Sequence, residues 1–389
     1  MIYLIVLIII LIGIGFDLKG IPCDNKKYIR LYYLTYLLLA LVPGLSYRIG
    51  IDTPTYMREF LEYPKIGSMS ISRIIETTTR EPLWVLFNSF CKMIIDDFAF
   101  MHTIHALLFN FVIFYFVNKH TKKRFVAITF YFFGFWVHTN FGALREGLAM
   151  IFFFIATDLY LRGHNIWKCF IIALPAIFFH KFAFIPIFLF PFADLLHKHK
   201  LVAVLCLVFV YVGFNYFIDN ILLFVWESSQ DFYEIMDARE EELTYNVFGM
   251  LKNLIIRAIP PFLVAYLGKN TWGKQFDRYT TMLYMCVYVG ILSSAIPLLM
   301  RVYFYFMMIM AVTVGNLVDE KRLFVKKNDL MGICLAVSFM WFVISGVQHI
   351  VEPTATEYRS NVNYNAAYFP YSSVFTMEED PIREGLPRR

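Results

Sequence analysis

Charged residues are scarce in this chain. They make up 17% of its 389 residues, whereas a soluble domain usually carries about 25%. Hydrophobic residues make up 59%, the mean hydropathy is +0.58, and the apolar residues come in blocks of about 14 to 21 between short charged segments. This pattern excludes an ordinary water-soluble globule and is typical of a chain that crosses a bilayer repeatedly.

The sequence also lacks the ten-residue alternation of a membrane β-barrel, a repeat of fixed period and a low-complexity linker. Backbone polar groups inside a bilayer must be paired within the segment, so the apolar blocks should be helices. We therefore predict an all-α, polytopic membrane protein. Residues 1–349 form one membrane domain, and residues 350–389 form an extracytoplasmic tail.

Metal and redox signatures are missing as well. The six cysteines show neither redox nor zinc spacing, so they are interpreted as structural thiols, and no Asp-x-Asp sequence occurs. We predict no metal and no cofactor. The net charge of +5 fits a membrane protein with basic cytoplasmic loops rather than a nucleic-acid-binding surface.

About twelve transmembrane helices are predicted from the apolar blocks. They fall at residues 1–16, 30–45, 98–117, 125–138, 145–161, 166–179, 182–196, 200–218, 251–268, 279–299, 301–318 and 329–349. Several are short, and residues 166–196 read either as two short helices or as one broken hairpin.

Lysine and arginine cluster in alternate connections, which should be cytoplasmic by the positive-inside rule. These connections include residues 17–30, 118–124, 162–168, 198–200, 269–278 and 319–328. The outer loops are then residues 46–97 and the acidic loop 219–250, and both termini are extracytoplasmic. Residues 82–95 are apolar, but a crossing there would break the alternation. They are therefore predicted as a helix in the outer interface, with Asn88 and Lys92 on its wet edge.

The first outer loop contains Arg48 and Asp52. Arg48 follows the end of a span, where its planar guanidinium suits a phosphate group, although it could equally anchor the helix at the headgroups. Asp52 lies two residues before Pro54 and can cap a helix that starts there, or serve as a catalytic carboxylate.

Two further outer segments place charges beside apolar helices. Glu81 precedes Pro82 at the entry of the interfacial helix, where a negative charge favours the helix N-terminus. Arg145 and Glu146 open the span 145–161, and an arginine near a helix start is a plausible anion site.

A His-Lys pair, His180 and Lys181, lies between two apolar runs. It is either a solvent-exposed turn at the outer surface or part of a functional site, because ionisable groups near the membrane interior cost free energy. Arg257 and Arg301 enter other spans from the same side. Widely separated charges therefore map to one face of the bilayer. Together they predict an outward-facing cationic pocket with a few carboxylates, suited to a phosphate or pyrophosphate at headgroup level.

Several motifs resemble those of the EpsG/Wzy-type bacterial polysaccharide polymerases. The resemblance spans nearly the whole chain. It is carried by Arg48-x-Gly50-x-Asp52-x-x-x-Tyr56-x-x-x-Phe60, Glu81-Pro82 with Asn88, Leu144-Arg145-x-x-Leu148-Ala149, Phe179-His180-Lys181-x-Ala183, and Pro370-Tyr371 with Phe375. The chain departs from the family pattern at Glu146, where glutamine is common, and at Phe182, where a small hydroxyl residue is common.

This resemblance implies a membrane glycosyltransferase of GT-C-like architecture in the bacterial cytoplasmic (inner) membrane. Its donor and acceptor would both be undecaprenyl-diphosphate-linked oligosaccharides. The growing glycan would be transferred from its lipid diphosphate to a new repeat unit, building an O-antigen, a capsule or an exopolysaccharide. Flippase and chain-length regulator proteins, together with membrane lipid, are the expected partners.

The residues fit this chemistry in defined roles. Departure of the lipid diphosphate needs positive charge, for which the candidates are Arg48, Arg145, Arg301, Lys181 and Arg257. The acceptor hydroxyl needs a base. His180 is the first choice because histidine exchanges protons near neutral pH, and Asp52 and Glu81 are the alternatives. Tyr56, Glu146 and Tyr371 are further site candidates, and aromatic residues of the tail and of loop 219–250 could stack on sugars or anchor the interface.

Two other classes remain open. A flippase or proton-coupled transporter would need ionisable groups near the bilayer midplane, and spans 30–45, 200–218, 279–299 and 329–349 have none in their middles. An outward-facing glycan ligase or acyltransferase would share the lipid carrier or the histidine and differ in its acceptor.

Overall fold

The computed structural model describes residues 2–76, 79–210, 247–296, 299–319, 367–379 and 383. Within these ranges the chain is helical and contains no strand; one isolated antiparallel bridge joins Ser46 and Ser373. The predicted all-α class is confirmed to this extent. The predicted span 329–349 and most of the loop 219–250 lie outside the described residues.

Most predicted spans correspond to helices. The first eight helices are α1 (Ile2–Leu18), α2 (Lys26–Gly44), α3 (Thr53–Glu62), α4 (Ile71–Glu76), α5 (Pro82–Ile94), α6 (Phe98–His120), α7 (Arg124–Tyr131) and α8 (Leu144–Leu161). The others are α9 (Ile166–Ala173), α10 (Phe184–Leu189), α11 (Ala193–Lys198), α12 (Lys200–Val210), α13 (Val247–Arg257), α14 (Ile259–Trp272), α15 (Asp277–Ala295) and α16 (Met300–Asp319).

Three segments of the described chain are long and apolar enough to cross a membrane. They are α6, the α13–α14 stretch Phe248–Trp272, and α16. Shorter apolar helices of 10–17 residues occur at Ile2–Leu18, Pro82–Ile94, Arg124–Trp136, Ile166–Phe178 and Lys200–Val210. The membrane character of the chain is therefore supported, while the total of twelve spans, the GT-C-like architecture and the positions of the termini stay predictions.

Prolines and short helical irregularities break several of the predicted spans. Residues 166–196 are not two continuous helices but a series of α-helical and 3-10 pieces, with Pro175, Pro186 and Pro191 inside the series. Proline removes a backbone donor and clashes with the preceding turn, so each proline interrupts or bends a helix. After α7 the chain continues as two π-helical turns, Phe132–Trp136 and His138–Gly142, before α8 begins.

The chain divides into two compact units. Among the described residues, the first unit contains those within 2–156, 172–183 and 367–383, and the second contains those within 157–171 and 184–319. In the second unit, the Tyr160 hydroxyl donates to Asp194 at 2.5 Å, and the Arg278 guanidinium donates to the carbonyl of His164 at 2.8 Å.

In the first unit, α3, α5 and the start of α8 share one apolar cluster. Its buried members include Tyr56, Phe60, Trp84, Leu144 and Leu148, and Phe179 packs against it. This cluster fixes the starts of α5 and α8 and the turn after Phe179, which carry the charged residues described below.

Residues 82–95, predicted as an interfacial helix, are confirmed as a helix, α5, and its place in the outer interface stays a prediction, but its predicted wet edge is wrong. Asn88 and Lys92 are both buried. The Lys92 ammonium donates to the carbonyls of Phe60 and Leu61 at 2.9 and 2.8 Å, at the end of α3. The carbonyls in the last turn of a helix lack intrahelical partners, so they attract this cation into the interior.

Candidate active site

The carboxylate of Glu81 joins residues from three motifs that are far apart in sequence. Its Oε2 accepts a hydrogen bond from Nη1 of Arg145 at 2.7 Å, and its Oε1 accepts one from the backbone N–H of Lys181 at 3.1 Å. Nδ1 of His180 lies 3.8 Å from the same Oε1. Glu81, Arg145 and His180, all predicted as site residues, therefore form one cluster, which we call the Glu81 cluster.

Burial and charge act in opposite directions on Glu81. The side chain is only 5% exposed, and burial by itself would raise its pKa. The positive charge of Arg145, the neighbouring His180 and the Lys181 amide outweigh this effect, and the pKa of Glu81 is lowered from its ordinary value. Glu81 is therefore held as a carboxylate, and it makes no side-chain cap at the start of α5.

Arg145 is the second residue of α8, and its side chain is 17% exposed. Its guanidinium lies 5.9 Å from the centre of the Tyr56 ring, a distance that permits a cation–π contact. Tyr56 is itself buried and packs on Trp84 with ring centroids 5.3 Å apart. The aromatic packing thus orients the arginine from one side, while Glu81 holds it from another.

His180 lies where the helical chain is broken, between the 3-10 segment Leu174–Phe178 and a 3-10 turn, Lys181–Ala183, which begins at Lys181. The His180 side chain is buried, whereas that of Lys181 is exposed. Lys181 reaches Glu81 through its backbone N–H rather than through its ammonium. Its predicted role in binding a diphosphate through the side chain stays a prediction.

The first motif forms a tight loop before α3. Asp52 occupies the N-cap position of α3, with Pro54 in the first turn, so the predicted helix start is confirmed, but the Asp52 side chain makes no capping hydrogen bond. Gly50 has φ +106°, and a Cβ atom there would lie 1.9 Å from the carbonyl oxygen of Phe141. The hydroxyl of Thr53 donates to the same carbonyl. The loop is thus fastened to the segment that leads into Arg145.

Glu146 belongs to a second ionisable pair next to the cluster. Its carboxylate is 1% exposed, and its Oε2 lies 3.2 Å from Nε2 of His138, which is on the π-helical turn before α8. Sequence inspection singled out Glu146 but not His138. The two residues are eight positions apart, too far to pair along a straight helix. Their side chains meet because the π-helical turn His138–Gly142 ends at Ala143, before α8 begins.

A buried polar network behind Arg145 was also missed from the sequence. Nε2 of His102 donates to the carbonyl of Asn140 at 2.7 Å, and Nε2 of His105 donates to that of Leu144 at 2.8 Å. The amide of Asn110 donates to the side chain of Asn140 at 2.7 Å. The signal available in the sequence was a set of polar residues on one side of the otherwise apolar α6.

Arg257 and Arg301 belong to the second unit. Arg257 is buried at the end of α13, and its Nη1 donates to the carbonyl of Ser293 at 2.6 Å, near the end of α15. This contact gives it a structural role within that unit. Arg301 is the second residue of α16 and is partly buried. Their predicted diphosphate-binding roles stay predictions.

Tyr371 and Arg48 lie in the first unit. The Tyr371 hydroxyl donates to the carbonyl of Val42 at the end of α2, at 2.8 Å. Nη1 of Arg48 lies 3.4 Å from Oε1 of Glu379. The tail residues Tyr358 and Tyr364, candidates either for stacking on sugars or for anchoring the interface, are outside the described residues. Among the residues that are described, no three His, Cys, Asp or Glu side chains are grouped as a metal site would require; independence from metal stays a prediction.

Comparison with known proteins gives a match to a family model only. No curated protein and no solved structure matches the chain. The model of the EpsG family matches residues 29–373, a range that includes every motif of the Glu81 cluster. The chain therefore belongs to the EpsG family.

Proposed function

We propose that this protein is a membrane glycosyltransferase that polymerises lipid-linked oligosaccharide repeat units at the outer face of the bacterial cytoplasmic membrane. Membership of the EpsG family favours a polysaccharide-polymerase type of function. The observation that carries the proposal is the Glu81 cluster. It brings an arginine, a histidine and a carboxylate from three distant motifs to one place in a chain rich in apolar helices.

The proposed reaction transfers a glycan from one lipid diphosphate to a hydroxyl of another lipid-linked unit. The acceptor oxygen forms a bond to the anomeric carbon of the donor glycan, the bond from that carbon to the diphosphate oxygen breaks, and the acceptor proton passes to a base. The leaving group is an anion, so fixed positive charge beside it lowers the barrier. A guanidinium has five N–H donors, so Arg145 can bind Glu81 and still offer donors to a phosphate.

The charge state of Glu81 argues for its role. A carboxylate with a lowered pKa is a weaker base than an ordinary one, so Glu81 is better suited to holding and orienting its neighbours than to accepting the proton. His180, whose Nδ1 faces that carboxylate at 3.8 Å, is then the preferred base. As the imidazole takes up a proton, the nearby negative charge stabilises it. Asp52, on the adjacent loop, is the alternative base.

The test is deletion of the gene and complementation with wild type, Arg145→Ala, His180→Gln or Arg58→Ala. The surface glycan is run on a gel and protein levels are matched. Arg58 is exposed on α3 and serves as the arginine control. The proposal predicts that deletion, Arg145→Ala and His180→Gln reduce the ladder to a single repeat unit, while Arg58→Ala restores the full ladder.

Other outcomes point to the remaining classes. A ladder that persists on the lipid carrier but is not attached to its final acceptor would indicate a ligase. A normal ladder that has lost acyl groups would indicate an acyltransferase. Lipid-linked units that accumulate only on the cytoplasmic face would indicate a flippase.

A further inference from the structure

The described end of the chain pairs with the loop that carries Arg48. The backbone N–H of Tyr47 donates to the carbonyl of Ser372, and the N–H of Val374 donates to that of Leu45, both at 3.0 Å. These bonds flank the antiparallel bridge between Ser46 and Ser373. A third bond, from the N–H of Gly50 to the carbonyl of Ala367, measures 2.8 Å. We call residues 367–379 the C-terminal strap.

Side chains also hold the C-terminal strap between its paired residues Ala367 and Ser372. The Tyr371 hydroxyl reaches the carbonyl of Val42, and the Tyr3 hydroxyl donates to the carbonyl of Tyr368 at 3.2 Å. The Tyr3 ring also lies edge-on to the rings of Phe369 and Tyr371, with centroids 5.0 and 5.9 Å away. The C-terminal strap is therefore fastened to α1 and to the end of α2 as well as to the loop.

The loop that carries Arg48 needs hydrogen bonds from another segment because its backbone is strained. Arg48 has φ +54°, a left-handed conformation that costs a residue other than glycine about 1–2 kcal/mol. Without hydrogen bonds to another segment, a short loop would leave this conformation. The pairing with the C-terminal strap lies on both sides of Arg48, at Tyr47 and Gly50, and so fixes this conformation and the direction of the side chain.

The C-terminal strap also carries a carboxylate at the tip of Arg48. The Arg48 side chain is 23% exposed and that of Glu379 is 60% exposed, with 3.4 Å between Nη1 and Oε1. An ion pair this exposed contributes little and exchanges readily for a stronger anionic partner. A diphosphate carries more charge than a carboxylate and matches the guanidinium fork.

We propose that the C-terminal strap is a positioning element of the substrate site: it holds residues 45–50 so that Arg48 can bind an anionic group, and Glu379 is an exchangeable counter-ion of Arg48. The docking of the C-terminal strap stands by itself, whereas the identity of the anion, a lipid-linked diphosphate, rests on the proposed function.

Docking is tested with a disulfide in the full-length protein in its membrane. Ser46 and Ser373 form a non-hydrogen-bonded antiparallel pair, since the bonds at Leu45–Val374 and Tyr47–Ser372 flank them, and Cα atoms in such pairs are about 4.5 Å apart. This separation lies within the range of disulfides. The matched control is Ser46→Cys with Val374→Cys, because successive side chains in extended chain point to opposite sides.

We expect Ser46→Cys with Ser373→Cys to cross-link under mild oxidation, and the control pair and the single variants to remain reduced. We also expect the cross-linked protein to restore a ladder of wild-type length in the deletion strain. Absence of the cross-link would overturn the docking. A cross-linked protein that is inactive until reduced would overturn the positioning role, since the C-terminal strap would then have to leave the loop.

The counter-ion role is tested by kinetics with purified full-length protein and lipid-linked repeat units. Glu379→Gln is expected to lower the KM for the donor about two- to fivefold, as expected for loss of an exposed competing charge, while Glu379→Asp keeps the wild-type KM. An unchanged KM in Glu379→Gln would contradict the counter-ion role. If the protein shows no polymerisation at all while the cross-link forms, the proposed function fails and the docking stands.

Discussion

The pair formed by Glu81 and Arg145 allows a quantitative test of the candidate site. Glu81→Gln keeps the shape of the side chain and removes its charge, so the Arg145 guanidinium, 2.7 Å from that carboxylate, loses its negatively charged partner. Breaking a buried ion pair by removing one partner typically costs about 3–5 kcal/mol. Arg145 is 17% exposed and recovers part of its hydration, so we expect a loss of about 2–3 kcal/mol.

The assay is a thermal melt of the detergent-solubilised protein, with unfolding of the first unit followed by a probe placed there. For a unit of about 200 residues, each kcal/mol shifts Tm by about 2–4 °C, so Glu81→Gln should lower Tm by roughly 5–10 °C. Arg145→Met should cost a similar amount, because it leaves the Glu81 carboxylate buried without its guanidinium. The double variant should lose less than the sum of the two single losses.

The effect has a defined pH dependence. Because the folded protein lowers the pKa of Glu81 below its ordinary value of 4.5, the stabilisation is fully present above that value and is lost as pH falls through the lowered pKa. The Tm difference between wild type and Glu81→Gln should therefore shrink as pH falls below 4.5. Additive losses in the double variant, or a difference that does not shrink below pH 4.5, would refute the reasoning.

Two other predictions use matched pairs within the first unit and the same melting assay. Gly50→Ala should destabilise the protein by more than about 3 kcal/mol or prevent its accumulation, because its Cβ would meet the Phe141 carbonyl. Gly67→Ala, at a similar φ of +92° but in open space, should cost only about 1–2 kcal/mol. Equal losses of stability in the two variants would show that backbone strain, and not the contact with Phe141, causes the destabilisation. Lys92→Met should cost about 1–3 kcal/mol by removing the ammonium from two buried carbonyls. Lys65 forms an exposed ion pair with Asp96 at 3.0 Å, and Lys92 lies 3.8 Å from the same carboxylate, so Lys65→Met is the matched control. It should cost less than about 1 kcal/mol, and a larger loss in Lys65→Met than in Lys92→Met would contradict the capping role of Lys92.

Helix positions in this protein follow closely from local sequence signals. Asp52, Thr53 and Pro54 predicted the start of α3, and Glu81-Pro82 marks the start of α5. Apolar blocks predicted α1, α2, α6, α8 and α16, because hydropathy and length are properties of a single segment. Local signals gave the wrong environment for Asn88 and Lys92, which were predicted to face water. A polar residue on an apolar helix can face either water or the end of another helix, and the packing of α3 against α5 determines which of the two it faces.

The sequence by itself predicted an apolar, all-α protein, and the described residues are indeed helical and contain no strand. The order of its motifs already resembled the family to which it belongs. It also indicated Glu81, Arg145 and His180 as candidate site residues, because placing an ionisable side chain beside an apolar run costs free energy. Only the tertiary structure showed that the Glu81 carboxylate lies beside both Arg145 and His180. It alone also showed that His138 pairs with Glu146 and that the C-terminal strap holds the Arg48 loop. Such contacts join positions many residues apart, and they depend on how the helices pack rather than on any local preference.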